Sequence, residues 1–241
     1  MKGIMKLSII IPVFNEKSTI AGLLDKLLAV KFPFETEIIV VDDGSTDGSA
    51  RILQEYGQEN IIKKHCSLIN LGKGAAVRFG LEYAEGDYII IQDADLELDP
   101  NDILKIVEQA QKEGIDVVYG SRFLETENAK GKLSSFAANR IMTGYTNVLY
   151  GSRLSDMATC YKLVKADLLK NLKLTCIGFE LEPELTAKLL RLGHKIKEVP
   201  VSYFPRTTHE GKKIRWWDGF KYMYYLTKYR VMKKNTFVKK K

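Results

Sequence analysis

The chain has 241 residues, of which 45% are hydrophobic and 28% charged, and its formal net charge is +7 at pH 7. A chain of this length and composition buries a core without disulfides or metals, which excludes disordered, collagenous and coiled-coil proteins. The three cysteines, Cys66, Cys160 and Cys176, are too widely spaced for a disulfide framework or a zinc site, which favours a reducing compartment. No apolar run approaches the roughly 20 residues that span a bilayer.

Positive charge is concentrated near the end of the sequence. Residues 206–241 contain 12 Lys or Arg and two Asp or Glu, whereas residues 1–205 contain 25 basic and 28 acidic side chains. Such a basic segment suits nucleic acid, anionic lipid or a phosphate-bearing substrate, and a solvated charged terminus is the alternative.

Short apolar runs typical of buried strands alternate with helical periodicity over the first 120 residues. The predicted strands are 7–11, 37–41, a weak strand within 61–69, 88–92 and 116–120. The predicted helices that alternate with them begin with one that turns Ile20, Leu23, Leu24, Leu27 and Leu28 inward. The others lie around Leu53, at 74–84 and from Pro100 onward. Asn15 is expected to cap the first helix. This alternation predicts βαβ units and a parallel sheet.

The second half is less regular. It contains a helical pattern at 134–150, a short strand at 161–164, a helix at 180–192, an alternating strand at 195–202 and an aromatic, basic helix from Trp216. The first of these helices has an apolar face that fits either core packing or contact with an apolar acceptor: Phe136, Ile141, Met142, Tyr145, Val148 and Leu149. No linker and no internal repeat interrupts the chain, which favours one domain.

Acidic residues follow the predicted strands where ligands bind in an open parallel sheet. Four of them are expected at one rim: Asp42, Asp43, Asp93 and Asp95. Because carboxylates this close repel one another, a divalent cation would stabilise them, and oxygen ligands suit Mg²⁺ or Mn²⁺. Turn chemistry is the alternative for either cluster alone.

A glycine-rich loop, 70–74, opens the third predicted helix and places Lys73 near phosphates. Its Gly72 and Gly74, with Asp93 further on, partly imitate the dinucleotide fingerprint of dehydrogenases. However, Val77 stands in place of the third glycine and the loop belongs to the third βα unit, which argues against that function.

Together these segments resemble glycosyltransferase family 2, the inverting GT-A enzymes. The matching segments are IIPVFNE, EIIVVDDGSTDGS, NLGKGAA, QDADLELDP, GSRF and EGKKIRWWDG. The resemblance is strongest to the dolichol-phosphate mannosyltransferase-like branch. It implies one α/β GT-A (Rossmann-like) domain with a mostly parallel central sheet at 1–215, comprising a nucleotide-sugar half at 1–123 and an acceptor half at 124–215. A basic aromatic segment, 216–241, follows.

The resemblance also assigns roles to residues. The donor-binding residues it implies, together with the lysine of the glycine-rich loop, are Pro12, Phe14, Glu16, Val41, Asp42, Asp43, Lys73, Asp93, Ala94 and Asp95. The metal ligands are Asp95, Glu97 and Asp93. The residues expected to act in catalysis are Asp93, Asp95, Arg122 and Asp156, the last as a base or an orienting group. The acceptor phosphate is expected at Arg122, Arg206, Lys212 and Lys213.

The sequence therefore predicts an inverting enzyme that uses Mg²⁺ or Mn²⁺ and moves a sugar from GDP-mannose or a UDP-hexose to a polyprenyl or dolichyl phosphate. It is expected in the cytoplasm, peripheral on an anionic membrane surface, with no nucleic-acid partner. Two alternatives remain: a soluble family 2 transferase that acts on a saccharide or protein hydroxyl, and a catalytically silent nucleotide-sugar-binding protein. Glu180 and Glu182 are weaker candidates for a general base, since a solvated helix start explains them equally well.

Overall fold

A computed structural model describes residues 5–57, 62–124, 133–206 and 217–239. The strands are β1 (Lys6–Val13), β2 (Glu35–Asp42), β3 (Ile62–Cys66), β4 (Tyr88–Ile91), β5 (Val117–Ser121), β6 (Lys162–Lys165) and β7 (Lys197–Pro200). The helices are α1 (Ile20–Ala29), α2 (Ser49–Glu55), α3 (Lys73–Tyr83), α4 (Asp102–Glu113), α5 (Leu133–Tyr150), α6 (Ala166–Asn171), α7 (Leu181–Leu192) and α8 (Trp217–Val231). The short helix α6 is the one α-helix here that the sequence pattern does not predict.

Seven strands form a single sheet in the order β3-β2-β1-β4-β6-β5-β7. Neighbouring strands run parallel except at β6, which is antiparallel to both β4 and β5. The prediction of an α/β fold with a mostly parallel sheet is therefore confirmed. The antiparallel strand comes from the second half of the chain and separates two strands of the first half.

The core lies on both faces of this sheet, because the central strands are buried on each side. In β1, Ile9 and Ile11 belong to a cluster with side chains of α1, α2 and α4, whereas Ile10 belongs to a cluster with α3, α6 and α7. This two-sided burial explains why the strands read as continuous apolar runs rather than alternating ones.

A third cluster joins α5, α7 and α8 beside the sheet. Only part of the predicted apolar face of α5 packs against this cluster, namely Met142, Tyr145 and Leu149. Ile141 and Val148 instead remain 65% and 87% exposed. Within the described residues, none of the helices combines the length and the apolar composition that crossing a bilayer requires.

The prediction that Asn15 caps the first helix is wrong. Helix α1 begins at Ile20 with Thr19 as its N-cap. Asn15 lies four residues earlier with a φ of 52°. Its backbone N–H donates to Ser45 Oγ at 2.9 Å, and its Oδ1 accepts from the Thr46 N–H at 2.8 Å. Asn15 therefore joins the turn after β1 to the turn after β2, which brings the two strand ends together.

Candidate active site

A cavity of about 350 Å³ opens at the carboxyl ends of β1, β2 and β4. The first half of the chain lines it with residues from the predicted rim: Pro12, Phe14, Glu16, Asp43, Lys73, Asp93, Ala94, Asp95, Glu97 and Arg122. From the second half come Arg206 and Glu182, both considered from the sequence, and five residues to which the sequence assigns no role: Ala158, Cys160, Phe179, Tyr203 and Tyr222. The cavity thus lies where ligands bind in open α/β sheets.

Three expected residues, Val41, Asp42 and Asp156, are not among the described residues that line this cavity. Val41 and Asp42 are buried, and their place beside a nucleoside stays a prediction. Asp42 Oδ1 accepts a hydrogen bond from Ser45 Oγ. Lys212 and Lys213 lie outside the described residues.

Asp43 fixes the glycine-rich loop at the cavity mouth. Its Oδ1 accepts from the Leu71 N–H at 2.9 Å and its Oδ2 from the Gly72 N–H at 2.6 Å. Gly72 has a φ of +106°, and a Cβ on it would lie 2.5 Å from the carbonyl oxygen of Ile177. Only glycine fits this close approach, which places the start of α3 and its first residue, Lys73, at the cavity.

Lys73 begins a chain of buried ion pairs beneath the cavity. Its Nζ lies 2.7 Å from Asp93 Oδ1 and 2.9 Å from Glu182 Oε1. The other oxygen of Glu182 pairs with Lys162 on β6, whose side chain is fully buried. Burial alone would lower the pKa of Lys73, but the nearby Asp93 and Glu182 raise it well above its usual value. Lys73 therefore stays protonated and holds Asp93 in place.

Glu182 is neither a solvated helix start nor an available base, which corrects the expectation from the sequence. It is 3% exposed, and each of its oxygens faces a lysine. Although burial alone would raise it, Lys162 and Lys73 lower the pKa of Glu182 below its usual value. The charged Lys162 within the apolar segment 161–164 is the signal that could have indicated a buried acidic partner.

Three acids follow β4 at the cavity: Asp93, Asp95 and Glu97. Burial, and then the charges of Asp93 and Glu97, raise the pKa of Asp95 to about 7. Its Oδ1 accepts from the backbone N–H of Glu97 at 3.1 Å. In the described part of the chain, no three His, Cys, Asp or Glu side chains converge closely enough to hold a metal by themselves. The site therefore supplies a partly buried carboxylate, Asp95, that is repelled by its neighbours, rather than a complete ligand cage.

Asp156 lies behind Arg122 and holds it by a bidentate ion pair. Arg122 Nε donates to Oδ2 at 2.7 Å and its NH2 to Oδ1 at 2.9 Å, while Asn139 Nδ2 donates to Oδ1 at 2.8 Å. Asp156 is fully buried, and both of its oxygens accept hydrogen bonds. Burial alone would raise the pKa of Asp156, but Arg122 holds it below its usual value. This geometry favours an orienting role for Asp156 over that of a base.

Arg206 crosses the cavity from the segment after β7. Its guanidinium pairs with Glu16, NH2 to Oε2 at 2.7 Å and NH1 to Oε1 at 3.3 Å. Its Nε donates to the carbonyl oxygen of Asp95 at 2.8 Å, and its backbone N–H donates to Glu97 Oε1 at 3.0 Å. Arg122 lies across the same cavity with its guanidinium 5.1 Å from the ring centre of Tyr203. Two cations thus face the acids that follow β4.

Comparison with known proteins agrees with this arrangement. The family model "Glycosyl transferase family 2" matches residues 8–173. The chain is 32% identical to dodecaprenyl-phosphate galacturonate synthase of Rhizobium johnstonii over 179 residues, which are 70% of this chain and 51% of that protein. It is 29% identical to dolichol-phosphate mannosyltransferase of Pyrococcus furiosus over 232 residues, which are 95% of this chain and 64% of that protein. The chain thus spans between half and two thirds of the length of these relatives.

Solved structures share the fold. Glucosyl-3-phosphoglycerate synthase of Mycobacterium tuberculosis, crystallised with Mn²⁺, UDP and phosphoglyceric acid, matches with a TM-score of 0.71 and 19% identity. The match covers 95% of this chain and 80% of that chain. Mannosyl-3-phosphoglycerate synthase of Rubrobacter xylanophilus matches with a TM-score of 0.70 and 20% identity, over 93% and 72% of the two chains. At this level of identity the likeness establishes the fold.

Proposed function

Because the chain belongs to glycosyltransferase family 2, we propose that it transfers a sugar, with inversion, from a nucleotide-sugar donor to a polyprenyl phosphate. GDP-mannose or a UDP-hexose is the donor, and the reaction takes place at the cytoplasmic face of a membrane. The names of the two relatives, one acting on dodecaprenyl phosphate and one on dolichol phosphate, support the acceptor class.

One observation in the site supports a phosphate as the acceptor. Three acids near the reacting groups are each held by a cation, which disfavours them as general bases: Asp156 by Arg122, Glu182 by Lys73 and Lys162, and Asp93 by Lys73. A sugar or protein hydroxyl needs a base to remove its proton. A phosphate monoester has a second pKa of about 6 and is mostly a dianion at neutral pH, so it attacks without one.

The acids after β4 fit a divalent cation. Asp95 is partly buried and repelled by Asp93 and Glu97; desolvation and this repulsion raise its pKa, and an adjacent cation would remove that penalty. Because the described acids do not form a complete cage, Asp95 and Glu97 would supply protein ligands, with water and the donor diphosphate completing the set, as Mg²⁺ and Mn²⁺ accept. The bound cation supplies charge neutralisation for the departing diphosphate.

The remaining steps belong to the chain itself. Pro12, Phe14 and Glu16 border the part of the cavity that takes the nucleoside. Arg122, oriented by Asp156, presents its remaining N–H groups to the phosphates. The acceptor oxygen attacks the anomeric carbon as the bond from that carbon to the diphosphate breaks, so the configuration inverts. Each arginine that faces the developing charge contributes roughly 3 kcal/mol.

An assay of the purified protein tests this function. The protein, Mg²⁺ or Mn²⁺, and radiolabelled GDP-mannose, UDP-glucose or UDP-N-acetylglucosamine are incubated with a short polyprenyl phosphate or with a soluble saccharide. We expect label to become extractable into organic solvent with the polyprenyl phosphate alone, and the product to carry the inverted anomeric configuration. Label in the saccharide, with none in the lipid, would instead favour the transferase that acts on a hydroxyl. Nucleotide binding without transfer to either acceptor would favour the silent protein.

We also propose that α8 rests on an anionic membrane. Phe220 and Tyr224 are 61% and 63% exposed on this helix, close to the basic Lys221 and Lys228. Helix α5 packs against α8 here, since the hydroxyl of Tyr145 lies 2.7 Å from that of Thr227. Aromatic rings beside basic residues suit a membrane interface. Trp216, which the sequence analysis also placed in this helix, lies outside the described residues.

Replacing Phe220 and Tyr224 with Ser should weaken binding to vesicles that contain anionic lipid by about tenfold or more, at low and at high salt, because apolar burial is not screened. Lysine substitutions in the same segment should matter mainly at low salt, since each contributes roughly 1 kcal/mol near such a surface. Co-sedimentation measures both effects. Tyr83→Ser is the matched control, because Tyr83 is similarly exposed on α3. Equal loss in this control, or no binding by the unmodified protein, would contradict the assignment of α8.

A further inference from the structure

The ion pair between Glu16 and Arg206 joins the two halves of the cavity. Glu16 follows β1, and Arg206 follows β7, 190 residues later. Both carboxylate oxygens contact the guanidinium, and the two side chains are only 8% and 13% exposed. Arg206 NH2 also lies 3.3 Å from Thr19 Oγ1. Such a bidentate, shielded pair holds its partners more strongly than an ion pair in open water.

The two partners have different tasks in the proposed reaction. Glu16 lies beside Pro12 and Phe14, where the nucleoside of the donor is expected, and Arg206 faces the region where the acceptor phosphate is expected. While the pair is intact, the NH1 and NH2 groups of Arg206 point to Glu16 and Thr19, and its Nε donates to the carbonyl oxygen of Asp95. These contacts use four of the five N–H groups of the guanidinium, so it cannot bind a phosphate through two N–H groups until Glu16 releases it.

We propose that the Glu16–Arg206 pair is a latch that couples the donor and acceptor sites. A ribose hydroxyl that donates to Glu16 competes with Arg206, and the released guanidinium then binds the acceptor phosphate. The donor consequently binds first and raises the affinity for the acceptor. This inference rests on the proposed function, because it assigns the two sites to a nucleotide and a phosphate. Because coupling is reciprocal, the acceptor raises the affinity for the nucleotide by the same factor.

Isothermal titration calorimetry with geranyl phosphate, a soluble isoprenyl monophosphate, tests the latch without turnover. The titration is made in the presence of Mg²⁺, with and without a saturating concentration of UDP or GDP, whichever binds. For the unmodified protein we expect geranyl phosphate to bind about tenfold more tightly when the nucleotide is present, a typical size for coupling between sites.

Two variants separate the latch from a general electrostatic effect. In Glu16→Gln the neutral amide no longer holds the guanidinium, so geranyl phosphate should bind tightly without nucleotide, and the ratio of the two affinities should fall to about one. Glu55→Gln is the matched control, because it makes the same change of charge in an exposed pair with Arg51. It should keep the ratio of the unmodified protein.

The outcomes distinguish this inference from the proposed function. Binding of both ligands with a ratio of one in the unmodified protein overturns the latch and leaves the proposed function intact. An unchanged tenfold ratio in Glu16→Gln also overturns it. Failure of geranyl phosphate to bind even with nucleotide present overturns both. The measurement on the unmodified protein decides the matter without relying on the folding of any variant.

Discussion

Asp95→Asn will lower sugar transfer by about 10²-fold or more, because it removes the partly buried carboxylate best placed to hold a divalent cation against the leaving diphosphate. The same substitution will make the cation-free protein harder to unfold above neutral pH. The reason is that burial and the neighbouring Asp93 and Glu97 oppose the ionised form of Asp95. A residue kept for structure alone would not lose activity while gaining stability.

The sign of the pH dependence follows from the raised pKa. Asp95 has a pKa of about 7 in the folded protein, and an unfolded aspartate has one near 4. Its contribution to stability is therefore greatest below pH 4 and is lost as the pH rises to about 7. Relative to the unmodified protein, Asp95→Asn should gain roughly 1–3 kcal/mol at pH 8 and little at pH 4. Urea unfolding in EDTA at the two pH values measures this.

The exposed Asp167 provides the control for this measurement, because Asp167→Asn makes the same change at the start of α6, away from the cavity. At pH 8 its effect on stability should be much smaller than that of Asp95→Asn. Full transfer activity of Asp95→Asn, or a loss of stability at pH 8, would contradict the role given to Asp95.

Glu182→Gln will lower the free energy of unfolding by about 3–5 kcal/mol, since it leaves Lys162 buried without an opposite charge. It should also lower activity, because Lys73 loses one of the two acids that position it and no longer holds Asp93 as firmly. Chemical denaturation and the transfer assay measure the two effects. We expect a larger change in kcat than in the KM for the donor.

Two further variants make this test specific. Glu180→Gln, at the same end of α7, should change stability by less than about 0.5 kcal/mol, since its carboxylate accepts from the backbone N–H of Gly178 and, among the described residues, forms no ion pair with a lysine. Glu182→Leu combined with Lys162→Met should recover part of the lost stability, because neither charge of that pair then remains. If Glu182→Gln alone were as stable as the unmodified protein, the ion pair between Glu182 and Lys162 would not contribute to stability.

The sequence pattern predicts the first half of the fold because each element there is encoded locally. An apolar run, a helical period and a glycine or acidic turn follow one another, and the strands β1, β2, β3, β4 and β5 result. The antiparallel insertion of β6 is not predictable in this way, since the choice of neighbour depends on contacts between residues about 75 positions apart, such as Ile89 with Val164. Asn15 shows the same limit at a smaller scale: its side chain satisfies a distant turn rather than the nearest helix.

The same distinction applies to the cavity. Asp93, Asp95 and Lys73 could be placed at the rim because they follow a predicted strand or open a predicted helix, whereas Arg122 is placed there by the resemblance of its GSRF segment to the family. The ion-pair partners of these residues were not assigned, because a partner is chosen by tertiary packing. Glu182 reads as a solvated residue in its own segment and becomes buried only when α7 packs against β6.

The position of β6 also determines the order in which the protein can assemble during synthesis. In the described sheet, β5 pairs with β6 and β7 and does not pair with any strand that precedes it. A growing chain can therefore join β1 to β4 early, but β5 must wait until residues 162–165 have emerged. Until then the apolar strand β4 is an open edge, the kind of surface that pairs with other chains. During the interval between β4 and β6 the nascent chain exposes this edge, and β5, which Arg122 directly follows, joins the sheet only after that interval ends.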